Sequence, residues 1–244
     1  LAGTLSHVDS MENPFLDLDI NCRAQLQLLE ACRKYNSAVK IVFAGTRNQY
    51  GKAQYLPVNE YHPLEPTDIN GVNAIAGEKY HMMYDKVYGI RAVSLRMTNT
   101  FGPRHQMRHS KQGVLNWFIR LLMDKKTIGL MGGGKQIRDI NYIDDVVDAL
   151  VVAGVSKAAD GQVYNLGGSP LSLVDFVEKV IKVLGFGRWE STQFPSDRKA
   201  IEIGDYIADI SKIKKVLGWK PKISVEEGIK KTIDYYKKNQ KHYF

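Results

Sequence analysis

The spacing of apolar positions changes several times along the chain, and each change marks an element. From Pro14 to Tyr35 the apolar residues recur with helical spacing, at Leu16, Leu18, Ile20, Leu26, Leu28, Leu29 and Cys32, which predicts a helix. The unbroken run from Val39 to Ala44 suits a strand buried on both faces. Gly71 to Tyr88 reads as a second helix with Gly89 as its C-terminal cap, and Arg91 to Arg96 as a further strand. Leu1 to Gly3 reads as a strand end. Strand, helix, strand, helix, strand is the order of a parallel α/β sheet.

Beyond Asn99 the rhythm is less regular. Gly102-Pro103-Arg104 breaks the chain, and a polar loop runs to Gln112. Gly113 to Lys125 is predicted helical, Thr127 to Met131 a short strand, and Gly132-Gly133-Gly134 its turn. Tyr142 to Asp145 opens another helix, its acids at the end where the helix dipole favours them. Gln162 to Leu166 is a strand. Ser172, Ser211 and Ser224 read as caps of the last three helices, with Glu227 completing a capping box.

Composition narrows the class. The chain has 244 residues, 44% hydrophobic and 25% charged, which is ordinary for a globular protein with a core. No apolar run is long enough to span a membrane and no leader segment is seen, so a cytoplasmic protein is expected. Cys22 and Cys32 lie on one predicted helix, where no bridge is expected. The net charge of +8 is concentrated: ten lysines against three acids between Lys212 and Phe244 give +7. That stretch has no arginine and its lysines follow a helical pattern, so it reads as a solvated helix face, not a nucleic-acid stripe.

Isolated motifs are weak. The glycine run at 132–134 matches neither G-x-x-x-x-G-K-[ST] nor G-x-G-x-x-G. His105 and His109 lack a nearby acid, and no metal site is expected. A more specific stretch is Phe43 to Gly51, a strand running into a turn at Thr46. The carboxyl ends of strands are where doubly wound sheets bind ligands, so Thr46 is placed to hold a substrate hydroxyl.

Taken together, LAG at 1–3, DINCRAQLQLLEACR at 19–33, VFAGTRNQYG at 42–51, AGEKYHMMYDKVYGI at 76–90, VSLRMTNTFGPR at 93–104, GGGKQIRDINYIDDVVDA at 132–149, VYNLGG at 163–168 and ADISKIKKVLGWKPK at 208–222 resemble one family in order. It is the extended short-chain dehydrogenase/reductases, the NAD-dependent nucleotide-sugar epimerases and dehydratases. The resemblance implies an α/β fold, a partial doubly wound (Rossmann) parallel sheet with a smaller C-terminal substrate-binding domain. Residues 1–99 would be the later part of the NAD domain, rejoined by the strand at 163–167, and residues 100–244 mainly the sugar-nucleotide domain. NAD would lie along Ala2, Gly3, Asn21, Ala44 and Gly45. Thr46 would hold the reacting hydroxyl, Asn99 would contact the sugar-phosphate region, and Arg138 and Arg198 would bind the diphosphate of a nucleoside-diphosphate sugar. A homodimer is implied through the helices at 14–35 and 71–88, with Leu26, Leu29, Tyr80, Met83 and Tyr84 on outer faces.

Two departures stand out. The family's chemistry uses a Tyr-x-x-x-Lys pair, in which the lysine charge lowers the tyrosine pKa. With Glu78 fixing the register, those positions are Asn70 and Ala74, and no tyrosine of the chain is followed four residues later by lysine. The family's Gly-rich NAD turn is also absent from the sequence, which begins near the family's fourth strand, so the chain reads as a truncated or fragmentary member that by itself holds NAD poorly. The acid pair of 4,6-dehydratases is replaced by Arg47-Asn48, which favours epimerisation. The rival expectation is an inactive subunit that still binds a nucleotide sugar or serves as a scaffold.

Overall fold

The computed structural model describes residue 3 and residues 7–109, 112–194 and 202–244. The first helical region is α1 (His7–Glu12), α2 (Pro14–Leu18) and α3 (Ala24–Tyr35), with a wide helical turn over Asp19–Arg23 joining the last two. The predicted helix at 14–35 is thus continuous, while α1 precedes it with no periodic signal of its own.

Strands β1 (Lys40–Thr46) and β2 (Arg91–Met97) pair in parallel, with α4 (Ile69–Tyr88) between them in sequence. After β3 (Asn99–Phe101), α5 (Val114–Met123), β4 (Ile128–Met131), β5 (Ile137–Tyr142) and α6 (Ile143–Val155), strand β6 (Gln162–Asn165) returns to pair in parallel with β2. The sheet order is β1-β2-β6. Alternation along β2 sends Ser94 and Arg96 to Glu78 on α4, while Val93 and Leu95 pack with Val146, Ala149 and Ala153 of α6. Helices therefore cover both faces, as a doubly wound sheet requires.

A second core gathers β3 to β5 with α5, α7 (Leu173–Leu184) and α9 (Val225–Tyr243), centred on Phe101, Phe118, Ile140, Phe176, Ile233 and Tyr236. There β5 pairs with β3 and with β7 (Pro170–Ser172), and β4 pairs with β8 (Trp189–Thr192). The short α8 (Ser211–Leu217) packs Ile213 under the first sheet's outer core.

Local signals hold in most places. Gly89 takes the left-handed conformation that closes α4, and Ser172 and Ser224 accept the capping bonds of α7 and α9. Two details differ. Ser211 is the first residue of α8, and the Asp209 carboxylate accepts its N–H. Glu227 is drawn to Lys231 at 2.8 Å, one turn on. The outer faces at 14–35 and 71–88 also need correction. Met83 is exposed as expected, but Leu29 and Tyr84 are core residues that pack with Ile90, Leu26 and Tyr80 are partly buried against them, and Phe15, Leu16, Leu28 and Val87 are exposed as well. Both cysteines are free thiols, and among the described residues no helix is long and apolar enough to cross a membrane.

Candidate functional site

All three strands of the first sheet run parallel, so their carboxyl ends share one edge. Thr46, the last residue of β1, lies in register with Met97 at the end of β2. Its Oγ1 accepts the N–H of Asn48 (3.2 Å) and starts a single tight turn over Arg47–Tyr50. That turn is bolted to the sheet. Tyr50 Oη donates to Asn165 Oδ1 (2.6 Å) and accepts from Arg96 Nη1 (2.7 Å), and Arg96 in turn grips Glu78 through two nitrogens at 2.9 and 2.5 Å. Burial pushes the Tyr50 phenol up to about 12, so it stays protonated and structural. Thr46, Arg47, Asn48 and Gln49 are therefore held on a rigid frame.

Asn70 and Ala74 occupy the first turns of α4, whose N-cap is Asp68, with Oδ1 accepting from Gly71 N (2.7 Å). The space is filled by amides. Asp17, only 3% exposed, accepts from Asn21 (3.0 Å), Asn70 (3.1 Å) and Asn73 (2.8 Å). Gln49 donates to the Ala74 carbonyl at 2.9 Å. None of these amides carries a proton that can be exchanged in acid–base work at neutral pH. Lys79, the nearest lysine on the helix, is exposed.

A titratable pair does reach this helix end. His7, on α1, donates from Nδ1 to Asp68 Oδ2 at 2.5 Å, and its Nε2 lies 3.0 Å from the Asn48 side-chain amide nitrogen. An amide NH2 can only donate, so Nε2 accepts, and the ring proton is on Nδ1 facing Asp68. Ser10 Oγ donates to the His7 carbonyl (2.8 Å) and accepts from Asn70 N (3.3 Å), tying α1 to α4.

The other side of the turn is cationic. Arg138, on β5, donates to the carbonyls of Ile137 (3.0 Å) and Gly204 (2.7 Å) and pairs with Glu202 at 2.5 Å. Arg47 lies buried with its guanidinium over the Tyr206 ring, 5.4 Å from its centre. Its Nη1 is buried with no hydrogen-bond partner among the described residues. Burial, and then the like charge of Arg138, push the Arg47 guanidinium down to about 10.

The remaining expected site residues are only partly gathered. Gly3 sits against Asn21, since a Cβ there would lie 3.0 Å from Asn21 Oδ1. Ala44 and Gly45 lead along β1 into Thr46. Asn99 begins β3, opposite Ile140 and two residues from Arg138 in the β5 register, and its Oδ1 is buried without a partner among the described residues. Ala2 and Arg198 lie outside the described residues. A side chain in place of Gly3 would crowd Asn21, and residues 1–244 contain no G-x-G-x-x-G turn of the kind that holds a dinucleotide pyrophosphate.

His7, Asp68 and Asp17 escaped sequence reasoning. Asp68 carried a signal, as an acidic residue just before an Asn-Gly helix start. His7 carried none, because its six-residue helix shows no period. Arg47 was visible only as the absence of an acid.

Comparison with known proteins identifies the family and the fold. Residues 1–232 match the family described as GDP-mannose 4,6 dehydratase. A Methanocaldococcus jannaschii protein, provisionally named a UDP-glucose 4-epimerase, is 34% identical over 98% of this chain and 76% of its own length. Among solved structures, the UDP-glucose 4-epimerase of Thermotoga maritima with UDP-glucose superposes with a TM-score of 0.88 at 28% identity, covering 98% of this chain and 76% of that one. The UDP-glucuronic acid 4-epimerase of Bacillus cereus, in complex with UDP-glucuronic acid and NAD, gives 0.85 at 27% identity, covering 98% and 74%. The chain belongs to the NAD-dependent nucleotide-sugar epimerase and dehydratase family of short-chain dehydrogenase/reductases.

Proposed function

We propose that this chain binds a nucleoside-diphosphate sugar at the carboxyl edge of the β1-β2-β6 sheet and acts on it as an epimerase. The observation that carries this reading is the Arg47–Arg138 pair. Both guanidiniums are buried: Arg138 is paired with Glu202, while Arg47, which feels the charges of Glu202 and Asp68, keeps a buried Nη1 with no hydrogen-bond partner among the described residues. Burying charge is costly unless it is paired, so the arrangement is complete only with an anion present. A diphosphate supplies that anion, and guanidinium forks match its oxygens. Asn99, whose Oδ1 has no partner among the described residues and can accept from a sugar hydroxyl, would contact the sugar-phosphate region, and Arg198 would add a further charge.

Thr46 would then hold the sugar hydroxyl. Gly3, Asn21, Ala44 and Gly45 would line the reacting end of NAD, which supplies transient hydride acceptance and return when bound. Residues 1–99 with β6 would form the dinucleotide half, and residues 100–244 mainly the sugar-nucleotide half. Arg47-Asn48 after Thr46 leaves no acid to eliminate water from the sugar, which supports epimerisation over dehydration. One observation favours the second reading, a binding subunit without turnover: Asn70 and Ala74 leave the usual proton-handling positions filled by a closed amide cluster. The exposed apolar residues of α2, α3 and α4 support a homodimer.

The test is calorimetric titration with UDP, dTDP and CDP of the wild type and of Arg47→Met and Arg138→Met. Nucleoside diphosphate binding is expected in the wild type, weakened about tenfold or more in each variant, the scale of one lost charged hydrogen bond. No binding of any of the three would overturn the reading.

A further inference from the structure

With Asn70 and Ala74 at the usual Tyr and Lys positions, a different titratable group reaches this helix end. His7 and Asp68 are far apart in sequence, yet meet at the start of α4, two residues from Asn70. The Asp68 side chain is 4% exposed and that of His7 38% exposed, so the carboxylate is sequestered while the imidazole edge stays open. Asp68 fixes the ring by accepting from Nδ1, and this leaves Nε2 as a lone-pair acceptor. Nε2 faces Asn48, whose own backbone N–H is bonded to Thr46 Oγ1. One residue thus bridges the hydroxyl-holding threonine and an oriented base. An imidazole positioned by a carboxylate on one nitrogen, with the other nitrogen left as an acceptor, is the arrangement of a general base.

We propose that His7, positioned by Asp68, accepts the proton of the sugar hydroxyl held by Thr46, in place of the tyrosine. The proposal rests on the nucleotide-sugar reading of the site. In the step, the hydroxyl O–H bond breaks and its proton passes to Nε2. The O–H electron pair becomes the carbonyl π bond as the adjacent C–H bond breaks, with an oxidised nicotinamide dinucleotide as hydride acceptor. The imidazolium so formed is neutralised by Asp68 and returns the proton when the carbonyl is reduced again. Asn48 covers Nε2 until a hydroxyl takes its place, which makes it a positioning residue. The charged groups around the ring are Asp68, Asp9 on its own helix, Asp17 across the Asn70 cluster, and Arg47, which feels the Asp68 charge.

The experiment reads the histidine directly, without need of the dinucleotide. In the full chain labelled with 15N-histidine, the His7 resonances are assigned by their loss in His7→Gln. UDP and UDP-glucose are then titrated in parallel. The proposal expects UDP-glucose, and not UDP, to move the Nε2 resonance, with Nδ1 held in place, and expects Asp68→Asn to abolish the Nδ1 pattern while keeping the helix cap. With NAD added, His7→Ala is expected to lose about 100-fold in kcat at unchanged UDP affinity and to regain turnover with added imidazole. If both nucleotides bind and Nε2 is indifferent to the sugar, the His7 proposal fails and the binding reading stands. If neither nucleotide binds, the binding reading fails and takes the proposal with it. Loss of kcat in His7→Ala with a parallel loss of UDP affinity and no imidazole rescue would assign His7 a structural role only.

Discussion

A guanidinium taken out of water without a full set of partners costs several kcal/mol, and Arg47 is such a group. Its neighbours explain how it is tolerated: the Tyr206 face attracts the cation, and Glu202 offsets part of the charge it shares with Arg138. Asn70 is the opposite case, a polar group whose needs are met. Its amide and that of Asn73 converge on Asp17, so a phenol ring at this buried position would have to displace those hydrogen bonds. The double substitution Asn70→Tyr and Ala74→Lys is therefore expected to destabilise the fold by about 1–3 kcal/mol through overpacking. It is also expected to give no gain in turnover. A thermal melt and a steady-state assay check both, and a stable variant with raised turnover would show instead that the tyrosine site is intact and merely vacated.

At the scale of elements, helices α3 and α4 are pinned together by a polar clasp. Tyr84 donates to Glu30 at 2.6 Å, and Arg33 holds the same carboxylate. The Arg33 hydrogen bond first, and the Tyr84 hydrogen bond second, hold the Glu30 carboxyl down at about 2. A carboxyl with a lowered folded-state pKa contributes stability above its ordinary range, and that contribution is lost as pH falls towards about 2. Denaturant melts of the wild type and Glu30→Gln should therefore differ most near neutral pH and converge in acid. A gap that stays constant with pH would rule the clasp out as a pH-dependent contact. Many elements could be read from local signals: α5 and α7 have clear apolar faces, and α4 is marked by its Gly89 cap although its buried face is mostly polar. Strands β3 and β5 could not: they are short, and their residues are set by pairing with each other and with β7. The same limit hid α1, and with it His7. The strand-end position of Thr46 was legible because it follows from topology alone. The Asp68–His7 contact was not, because it joins elements 61 residues apart.

At the scale of the whole molecule, family membership fixes the fold and the edge of the sheet on which ligands are expected, and this chain's own residues decide what happens there. The positive charge gathered on α8 and α9 lies on exposed lysines, such as Lys231 paired with Glu227, consistent with a solvated face. Association is expected to use the helices at 14–35 and 71–88, where Phe15 and Leu16 of α2 and Met83 and Val87 of α4 are exposed. Light scattering should report a dimer that Phe15→Glu with Val87→Glu converts to a monomer, and an unchanged mass for the variant would place the interface elsewhere. The central claim is that the cationic site between Arg47 and Arg138 holds the diphosphate of a nucleotide sugar. Calorimetric titration of UDP-glucose into the wild type, Arg47→Met and Arg138→Met tests it most directly. Saturable binding is expected in the wild type, weakened about tenfold or more in both variants. Equal binding in all three proteins, or none in any, would contradict it.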